Sequence, residues 1–359
     1  MATEVSAREI LRLREFTQRI HPAATGTVAE TVRHLLALQA QDFTNALWAA
    51  GIRTQRANRT DVLAALQAGE IVRTLPMRGT LHFIAAEDLR WMLEVTAART
   101  LQSARKRFDD LGLDPSTLVR SESIALQGLA GKPATRDEFM TQLRENGIEP
   151  DGQRGYHVIF YLAHRGIICW GPPAATQQAL VLVDEWIPEQ QRPDRDAALI
   201  QFAQRYFASH GPATERDFAW WTKLTLADIR EAMAGCDGAL TELTHNGTSY
   251  WIATSELEAA TGTKAAGSVH LLPGFDEFLL GYQDRTLPLA PEHSQQIVPG
   301  NNGIFLPTIV SSGRVVGTWR RNAKSKTAAI TAEHFETANA AARAGFTKAA
   351  AAYARFADS

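Results

Sequence analysis

The stretch Pro133–Phe139, with the sequence PATRDEF, recurs along the chain as PATERDF at Pro212–Phe218. Each copy places a threonine where the N-cap of a helix belongs, and an acidic residue, Glu138 or Asp217, follows three positions later. In the first copy this is the pattern of a capping box, and in the second the shorter aspartate serves part of the same purpose. Internal similarity of this kind indicates repeated supersecondary units.

The sequence around the two copies repeats as well. An amphipathic helix is predicted before each copy, over residues 122–130 and 197–209, and a second amphipathic stretch follows each copy. A β-rich segment is then expected to close each unit, and Asn246-Gly247 is a strong signal for a hairpin with a type I′ turn. The predicted β segments are 156–161 with 166–170, and 240–243 with 249–252. Helix, capped helix, helix and hairpin is the order of a winged helix-turn-helix.

A weaker third copy is predicted near the N-terminus. Thr27–Glu30 forms another capping box at the start of an apolar stripe, and a short helix is expected over residues 60–68. Residues 71–77 and 80–84 flank Arg78-Gly79 as a hairpin. The sequence therefore predicts an α+β protein with three tandem winged-helix motifs.

Prolines and polar residues near 114–115 and 188–193 interrupt the periodicity and set the predicted boundaries. Beyond residue 255, turn clusters at 299–303 and 311–313 separate short apolar runs, and an alanine-rich helix is predicted over about 332–354. The predicted division is 1–114 for the first winged helix, 115–190 for the second, 191–255 for the third, and 256–359 for a β-rich segment with hairpins and a closing helix.

Composition excludes several classes of protein. The 359 residues carry a formal net charge of -2, so only a local basic groove could serve a nucleic acid. Cys169 and Cys236 stand alone, which predicts two buried thiols rather than a disulfide or a metal site. We found no secretion signal, membrane-length apolar run, phosphate loop, dinucleotide fingerprint or nucleophile elbow, and the ten histidines are scattered. We expect a cytoplasmic protein without cofactor or metal.

One polar motif interrupts the apolar pattern of the first unit. In Leu38–Phe43, with the sequence LQAQDF, Gln39 and Gln41 are separated by one alanine. In a continuous helix two such residues point about 200° apart, so they converge only if the helix ends or distorts near Ala40. The alternative is a pair of polar helix residues that face solvent.

This motif resembles the Gln-apolar-Gln catalytic motif of the AlkZ-type DNA glycosylases. Other segments are similar to the same family and follow in the same order, from the first unit almost to the end of the chain. They are Arg78–His82, Leu271–Glu277 with Asp284-Arg285, and Gly317–Arg320.

The resemblance implies three tandem winged helices in a C-shaped monomer, with Gln39 and Gln41 holding the nucleophilic water near the anomeric carbon. A related branch of the family carries aspartate at the second position, so Gln41 places this chain on the AlkZ side. Asp276 is expected to support its motif. The family also inserts a C-terminal β-hairpin at the lesion, which here is either residues 304–319 or the turn at 299–303.

The chemistry suits amides in place of the carboxylates that most glycosidic enzymes use. A purine alkylated at N7 or N3 is already cationic, so it leaves as a neutral base without protonation. Amides are poor general bases but can orient water. We therefore expect excision of cationic alkylpurines, including bulky natural-product adducts and interstrand crosslinks, and little action on uracil. Because a crosslinked base cannot leave the stack, an open concave surface is expected rather than a deep pocket.

Basic side chains supply the predicted contacts to double-stranded DNA, mainly to phosphates. This DNA partner implies a bacterial protein that associates with the nucleoid when bound. The candidate DNA-binding residues are Arg53, Arg56, Arg59, Arg78, His82, Arg105, Lys106, Arg107, Arg285, Arg320, Arg321 and Lys324.

Two other functions remain open at the level of sequence. A winged-helix transcription regulator would bind DNA without catalysis, although such proteins usually dimerise on half-sites, and no dimer helix is evident here. A scaffold that sequesters a toxic small molecule would give resistance without DNA. Loss of base release on substitution of both glutamines favours the enzyme, footprinting without base release the regulator, and drug binding without DNA the scaffold.

Overall fold

The repeat found in the sequence corresponds to three copies of one arrangement in the computed structural model, which describes residues 3–174, 177–187, 192–262, 269–322, 330–337 and 339–359. In each copy a helix leads through a short extended segment into two further helices and an antiparallel hairpin. The extended segment pairs with the second strand of that hairpin through an alanine: Ala40, Ala134 or Ala213. This is the predicted winged-helix order.

The first unit follows a short N-terminal strand and helix. Its hairpin turns at Arg78-Gly79, where both residues have positive φ (57° and 67°), as a type I′ turn requires. The short helix predicted over 60–68 is present to within one residue. The elements are β1 (Thr3–Glu4), α1 (Ala7–Thr17), α2 (Val28–Leu35), β2 (Leu38–Gln39), α3 (Phe43–Arg53), α4 (Arg59–Gln67), β3 (Ile71–Met77) and β4 (Thr80–Ala85).

The second unit corrects one prediction. Residues 156–161, expected to be β-rich, lie within a helix whose buried residues include Val158, Ile159, Leu162 and Ala163. That spacing is the helical 3.6-residue period, and burial of the stripe overrides the β propensity of its branched and aromatic side chains. The elements are α5 (Leu89–Asp110), which leads into the unit, α6 (Pro115–Gly128), α7 (Arg136–Glu145), α8 (Arg154–His164), β5 (Ile168–Ala174) and β6 (Gln177–Leu182).

The third unit agrees closely with its prediction. Thr214 and Asp217 form a complete capping box, and Asn246-Gly247 forms a turn with φ of 49° and 74°. The helix predicted over 197–209 runs two residues further at its start and one at its end. The elements are α9 (Val183–Trp186), α10 (Arg195–His210), α11 (Glu215–Thr222), α12 (Leu226–Ala234), β7 (Leu240–His245), β8 (Thr248–Ala253) and α13 (Thr254–Ala259).

The C-terminal segment differs from its prediction at two places. Residues 299–301 form a 3₁₀ turn rather than a hairpin, and the observed hairpin turns at Ser312-Gly313. Residues 330–334 form a strand, so the last helix begins only at Ala340, after the N-cap Asn339. The elements are β9 (Val269–Leu272), α14 (Glu277–Leu280), α15 (Ser294–Ile297), β10 (Thr308–Ser311), β11 (Arg314–Arg321), β12 (Ile330–His334) and α16 (Ala340–Ala357).

Sheets and cores join the units to one another. The hairpins of the first two units merge into one sheet with the order β2-β4-β3-β5-β6. The largest apolar cluster combines first-unit residues such as Met77 with third-unit residues such as Phe202, and a second cluster packs α3 against β9 and α16. The repeats are therefore packed together rather than strung out, and segments from all parts of the chain meet beside β2.

Two further expectations from the sequence concern the cysteines and the membrane. Cys169 and Cys236 are free and buried, as predicted, and burial raises the pKa of Cys169 to about 12. Within the described residues, no helix combines the length and the hydrophobicity that crossing a bilayer requires.

Candidate functional site

Neither glutamine lies in a helix: Gln39 ends the short strand β2, and Gln41 lies in the bend before α3. Helix α2 ends at Leu35, the next residue turns with a φ of 64°, and α3 begins only after Asp42, whose carboxylate accepts from the Asn45 N–H at 2.9 Å. Between these helices, Ala40 donates to the Leu81 carbonyl of β4 at 2.7 Å. The break that convergence of the glutamines requires is therefore present.

Burial alternates along Leu38–Gln41, with Gln39 in strand β2 and Gln41 in the bend that follows it. Side chains alternate between the two faces of a strand, and Leu38 and Ala40 are both fully buried in the apolar cluster beneath. Gln39 is half-buried and Gln41 exposed. The alternative of two helix residues facing solvent is wrong.

Arg73 of β3 fixes the backbone of the motif. Its guanidinium donates to the carbonyl oxygens of Ala40 at 2.9 Å and Gln41 at 3.2 Å, and to Oε1 of Gln178 at 2.9 Å. Burial lowers the pKa of Arg73 to about 10, which still leaves the group charged at neutral pH. Gln41 completes the arrangement, because its Oε1 accepts from the Leu81 N–H at 3.3 Å.

A buried carboxylate holds the other end of the motif. Glu277 is 1% exposed, and its Oε1 accepts from the backbone N–H of Gln39 at 3.1 Å. Its Oε2 accepts from the indole of Trp221 at 2.8 Å, and Arg78 lies at 3.8 Å from Oε1. Burial acts to raise the pKa of Glu277, but the facing ring of His210 and the charge of Arg78 outweigh it and lower that pKa to about 2. Glu277 is therefore anionic and ties the motif to the third unit.

His82, predicted as a DNA contact, is fully buried and cannot reach DNA directly. Burial, with the positive charge of Arg78, lowers the pKa of His82 to about 3, so the ring is neutral. Because Arg78 can only donate, Nε2 of His82 accepts from it at 3.0 Å and Nδ1 donates to the Thr80 carbonyl at 2.8 Å. His82 pairs with Gln39 across the strands, so it supports the motif from within the sheet.

Several buried polar atoms around His82 lack a hydrogen-bond partner among the described residues. They are Gln39 Oε1, Thr74 Oγ1, Arg78 Nε and Thr80 Oγ1. Buried polar groups are almost always satisfied, so a group of exceptions on three adjacent strands marks a place built for something other than packing. Among them, the Gln39 amide oxygen is the acceptor that the motif offers.

Arg53 is also not a DNA contact. It is fully buried, and its guanidinium forms a bidentate pair with Asp276 at 2.8 and 2.7 Å. Asp276 in turn accepts from the Phe278 N–H at 2.9 Å and so caps the short helix that begins with Glu277. The predicted support role of Asp276 thus has a physical form: the pair anchors the segment that presents Glu277.

The remaining basic candidates divide into two groups. Arg78 contacts Glu277 and Trp220, and Arg285 lies over the same Trp220 ring at 4.8 Å, so these two lie near the motif. Arg320 and Arg321, exposed on β11, border a cleft of about 370 Å³ that Asn45 also lines.

Among the described residues, the other basic candidates make no hydrogen bond or ion pair with the motif. Arg56 is exposed and Arg59 opens α4, whereas Lys106 pairs with Asp110 and Arg107 bonds Gln153 beside the exposed Arg105. Lys324 lies outside the described residues.

Sequence reasoning missed Arg73 and Trp221 and quoted Glu277 only as part of a motif. A usable signal existed for Arg73 and Glu277, since each is a charge inside an otherwise apolar run, and a buried charge needs a partner. Nothing local identifies Trp221, whose indole reaches a carboxylate 56 residues away.

A protein family, a relative and a solved structure resemble this chain over most of its length. Residues 32–356 match the family model described as "DNA glycosylase AlkZ-like". A relative from Streptomyces sahachiroi, described as "Interstrand DNA cross-link repair glycosylase", is 27% identical over 329 residues, which are 88% of each chain. The solved structure of "Streptomyces sahachiroi DNA glycosylase AlkZ" superposes with a TM-score of 0.85 at 24% identity, over 99% of this chain and 98% of that one.

Proposed function

This chain belongs to the family of AlkZ-like DNA glycosylases, and from that premise we propose that it hydrolyses the N-glycosidic bond of cationic N7- or N3-alkylated purines in duplex DNA, with Gln39 and Gln41 as catalytic residues. The observation that supports the proposal best is the motif itself. Gln39 and Gln41 are the less buried residues of a segment whose other members, Leu38 and Ala40, are buried, and the Gln39 amide oxygen is buried without a partner among the described residues.

In the proposed complex both amide oxygens accept a hydrogen bond from the same water molecule. Gln41 Oε1 already accepts from Leu81, but a carbonyl oxygen has a second lone pair. A water that donates both protons to the two amides directs its own lone pairs outward, toward the anomeric carbon. The segment holds this geometry because Arg73 and Glu277 fix its backbone from both ends.

In the reaction, the bond between C1′ and the purine nitrogen breaks, and its electron pair neutralises the cationic base. The water oxygen then bonds to C1′ of the oxocarbenium-like sugar, and one water proton passes to solvent. No general acid is required, which agrees with a motif that contains no acid. The products are a free alkylpurine and an abasic site in an unbroken strand, so the enzyme is monofunctional.

Bulky natural-product adducts and interstrand crosslinks are included in the proposal. The relative from Streptomyces sahachiroi carries cross-link repair in its description, which supports this part of the proposal. Double-stranded DNA is the partner, with a monomer of this chain as the active form. Its phosphates are contacted by basic side chains on the surface: Arg56, Arg59, Arg105, Lys106, Arg107, Arg320 and Arg321. Lys324, outside the described residues, is proposed for the same role.

Excision from two otherwise identical duplexes, one with 7-methylguanine and one with uracil, tests the proposal. We expect release of 7-methylguanine alone. Gln39→Ala and Gln41→Ala should each lower the single-turnover rate by about 10²–10³-fold, as loss of a positioned polar group does at other sites. The double variant should be little worse, because residues that act as a unit are not additive.

Gln142→Ala, in the helix of the second unit that corresponds to α3, is the matched control and should excise at the wild-type rate. Equal rates on 7-methylguanine and uracil would contradict the chemistry proposed. Full activity in the double variant would remove the two glutamines from the mechanism.

A further inference from the structure

Three cationic side chains surround a single indole beside the motif. The guanidinium of Arg285 lies 4.8 Å from the ring centre of Trp220, that of Arg78 lies 5.3 Å away, and the ammonium of Lys223 also lies 5.3 Å away. Phe305 covers the far side of Arg285 at 5.1 Å. We call these three cations with Trp220 the cation cluster.

The cluster carries more positive than negative charge. Among the residues that the structure describes, no carboxylate lies within 4.0 Å of Lys223 or Arg285, and Arg78 has only Glu277 at 3.8 Å. Asp217 and Asp284 act on Arg285 from farther away. One close carboxylate for three cations leaves a place where an additional anion is stabilised.

Geometry shows that the cluster is held together without such an anion. The side chain of Arg78 is only 9% exposed, and its Nε has no hydrogen-bond partner among the described residues. Arg285 is fixed by donation from its Nε to the Leu279 carbonyl at 2.8 Å. The negative face of an aromatic ring attracts cations, so Trp220 can hold the three together despite their mutual repulsion.

Lys223 stands in a conformation that a lysine does not favour. It follows the last residue of α11 with a φ of 62°, a position that glycine usually occupies. A backbone outlier of this kind motivates a functional reading, because a glycine would form the same helix end without strain. The pKa values of Lys223 and Arg285 are both lowered, first by burial and then by the charge of Arg78, as expected for cations that lack an anion.

We propose that Arg78, Lys223 and Arg285, assembled on Trp220, bind one phosphate group of the DNA backbone next to the nucleotide presented to Gln39. This rests on the proposed function and extends it by a phosphate site. Forked guanidinium groups and an ammonium are the donors that phosphate prefers. The position follows from Arg78, which contacts both the cluster and the carboxylate that holds Gln39.

The test measures binding, not catalysis. A duplex with a central tetrahydrofuran abasic analogue is titrated with wild type, Lys223→Gly and Lys223→Arg over about 50 to 200 mM salt. Lys223→Gly removes the charge and suits the positive φ, so it should melt at or above the wild-type temperature. It should bind about five- to tenfold more weakly, with the slope of log K against log salt reduced by about 0.9. Lys223→Arg should bind as wild type does.

A matched control removes a charge that is already neutralised. Arg144 is exposed and pairs with Glu149 and Asp151, so Arg144→Ala should leave the slope unchanged. The phosphate is then located by replacing single backbone phosphates near the analogue with uncharged methylphosphonates. At the contacted position, wild type and Lys223→Gly should bind equally.

A wild-type slope for Lys223→Gly, or the same loss at every methylphosphonate position, overturns the proposal. If added inorganic phosphate displaces DNA at constant ionic strength while no backbone position couples to Lys223, the cluster binds free phosphate instead. Release of 7-methylguanine is measured in parallel. If no 7-methylguanine is released, the glycosylase proposal fails. The effect of Lys223→Gly at each methylphosphonate position can still be interpreted, because binding to the analogue requires no reaction.

Discussion

The first and third winged units use the same piece of backbone for different purposes. In both, an alanine bonds the second strand of the hairpin, Ala40 to Leu81 at 2.7 Å and Ala213 to Trp251 at 3.0 Å. The residue before the alanine is Gln39 in one unit and Pro212 in the other. Proline has no N–H, whereas the N–H of Gln39 bonds Glu277.

The residue after the alanine also differs between the two units: it is Gln41 in the first and Thr214 in the third. Thr214 is itself the N-cap, and its hydroxyl donates a hydrogen bond to the Asp217 carboxylate. In the first unit the cap moves one residue on, to Asp42, so Gln41 is released from capping and its amide oxygen accepts from the Leu81 N–H instead. A shift of one residue in the cap position thus converts a structural turn into a candidate site.

The substitution Gln39→Pro breaks this comparison most severely, because it gives the first unit the residue of the other two. It removes both the side-chain amide and the backbone N–H that donates to Glu277. We therefore expect excision of 7-methylguanine to fall by at least about 10³-fold. Loss of the buried bond should lower the free energy of unfolding by about 1–3 kcal/mol. Single-turnover excision and urea unfolding measure the two effects.

Gln39→Ala is the control, since it keeps the N–H and loses only the amide. If the two variants unfold at the same urea concentration, the bond to Glu277 contributes nothing and the comparison with Pro212 loses its meaning.

Glu277→Gln tests the anchor of the motif. The substitution leaves Arg78 without its carboxylate and turns an amide group toward donors such as the Trp221 indole. We expect the free energy of unfolding to fall by about 3 kcal/mol, as for other buried pairs that lose one member. Excision should fall by about 10²-fold at temperatures where the variant is still folded. Trp221→Phe keeps the carboxylate but loses the indole donor and part of a fully buried ring, so its cost in stability includes a cavity. Its cost in excision should be smaller than that of Glu277→Gln; an equal loss of excision would show that the charge is unimportant.

Much of this arrangement could be predicted from the sequence. The Pro-Ala-Thr repeat, the capping threonines and the Arg78-Gly79 and Asn246-Gly247 turns are local signals, and the structure confirms each of them. The two motif glutamines were selected by their resemblance to the family motif, and their catalytic role stays a prediction.

Other features depend on contacts that no local pattern contains. Helix α2 ends at Leu35 and the chain turns at Leu36 with positive φ, without a glycine, proline or asparagine, so the break before the motif had no signal in the sequence. Glu277 meets Gln39 across 238 residues of chain. The burial of Arg53 and His82 likewise arises from tertiary packing, and for that reason two basic residues were wrongly assigned to DNA.

A smaller effect distinguishes the caps of two units. Asp42→Ala and Thr135→Ala each remove a side chain that caps a helix, and each should lower the free energy of unfolding by about 1 kcal/mol. Only Asp42→Ala should slow excision, by about tenfold, because the backbone that carries Gln41 loses its anchor. Thermal unfolding confirms the matched cost, and single-turnover rates separate the pair. Equal rates would mean that the cap position does not control the amides.

The smallest expected effect is that of pH on the rate. In the unfolded chain His82 takes up a proton near pH 6.5 and Glu277 near 4.5, whereas in the folded protein they do so at about 3 and about 2. The unfolded chain therefore binds more protons at acid pH, so stability from His82 is lost as the pH falls below about 6.5, and stability from Glu277 as it falls below about 4.5.

Between these limits and pH 9 neither group changes its charge in the folded protein, and an alkylated purine is cationic without protonation. The single-turnover rate on 7-methyladenine, which has no N1 proton to lose, should vary less than about threefold from pH 6 to 9, whereas an enzyme with a titrating acid or base shows a bell or a slope. The melting temperature should meanwhile fall on the acid side. A rate that rises or falls tenfold per pH unit would show that a proton is transferred in the rate-limiting step, and two amides that only orient water could not then be the whole of the catalytic apparatus.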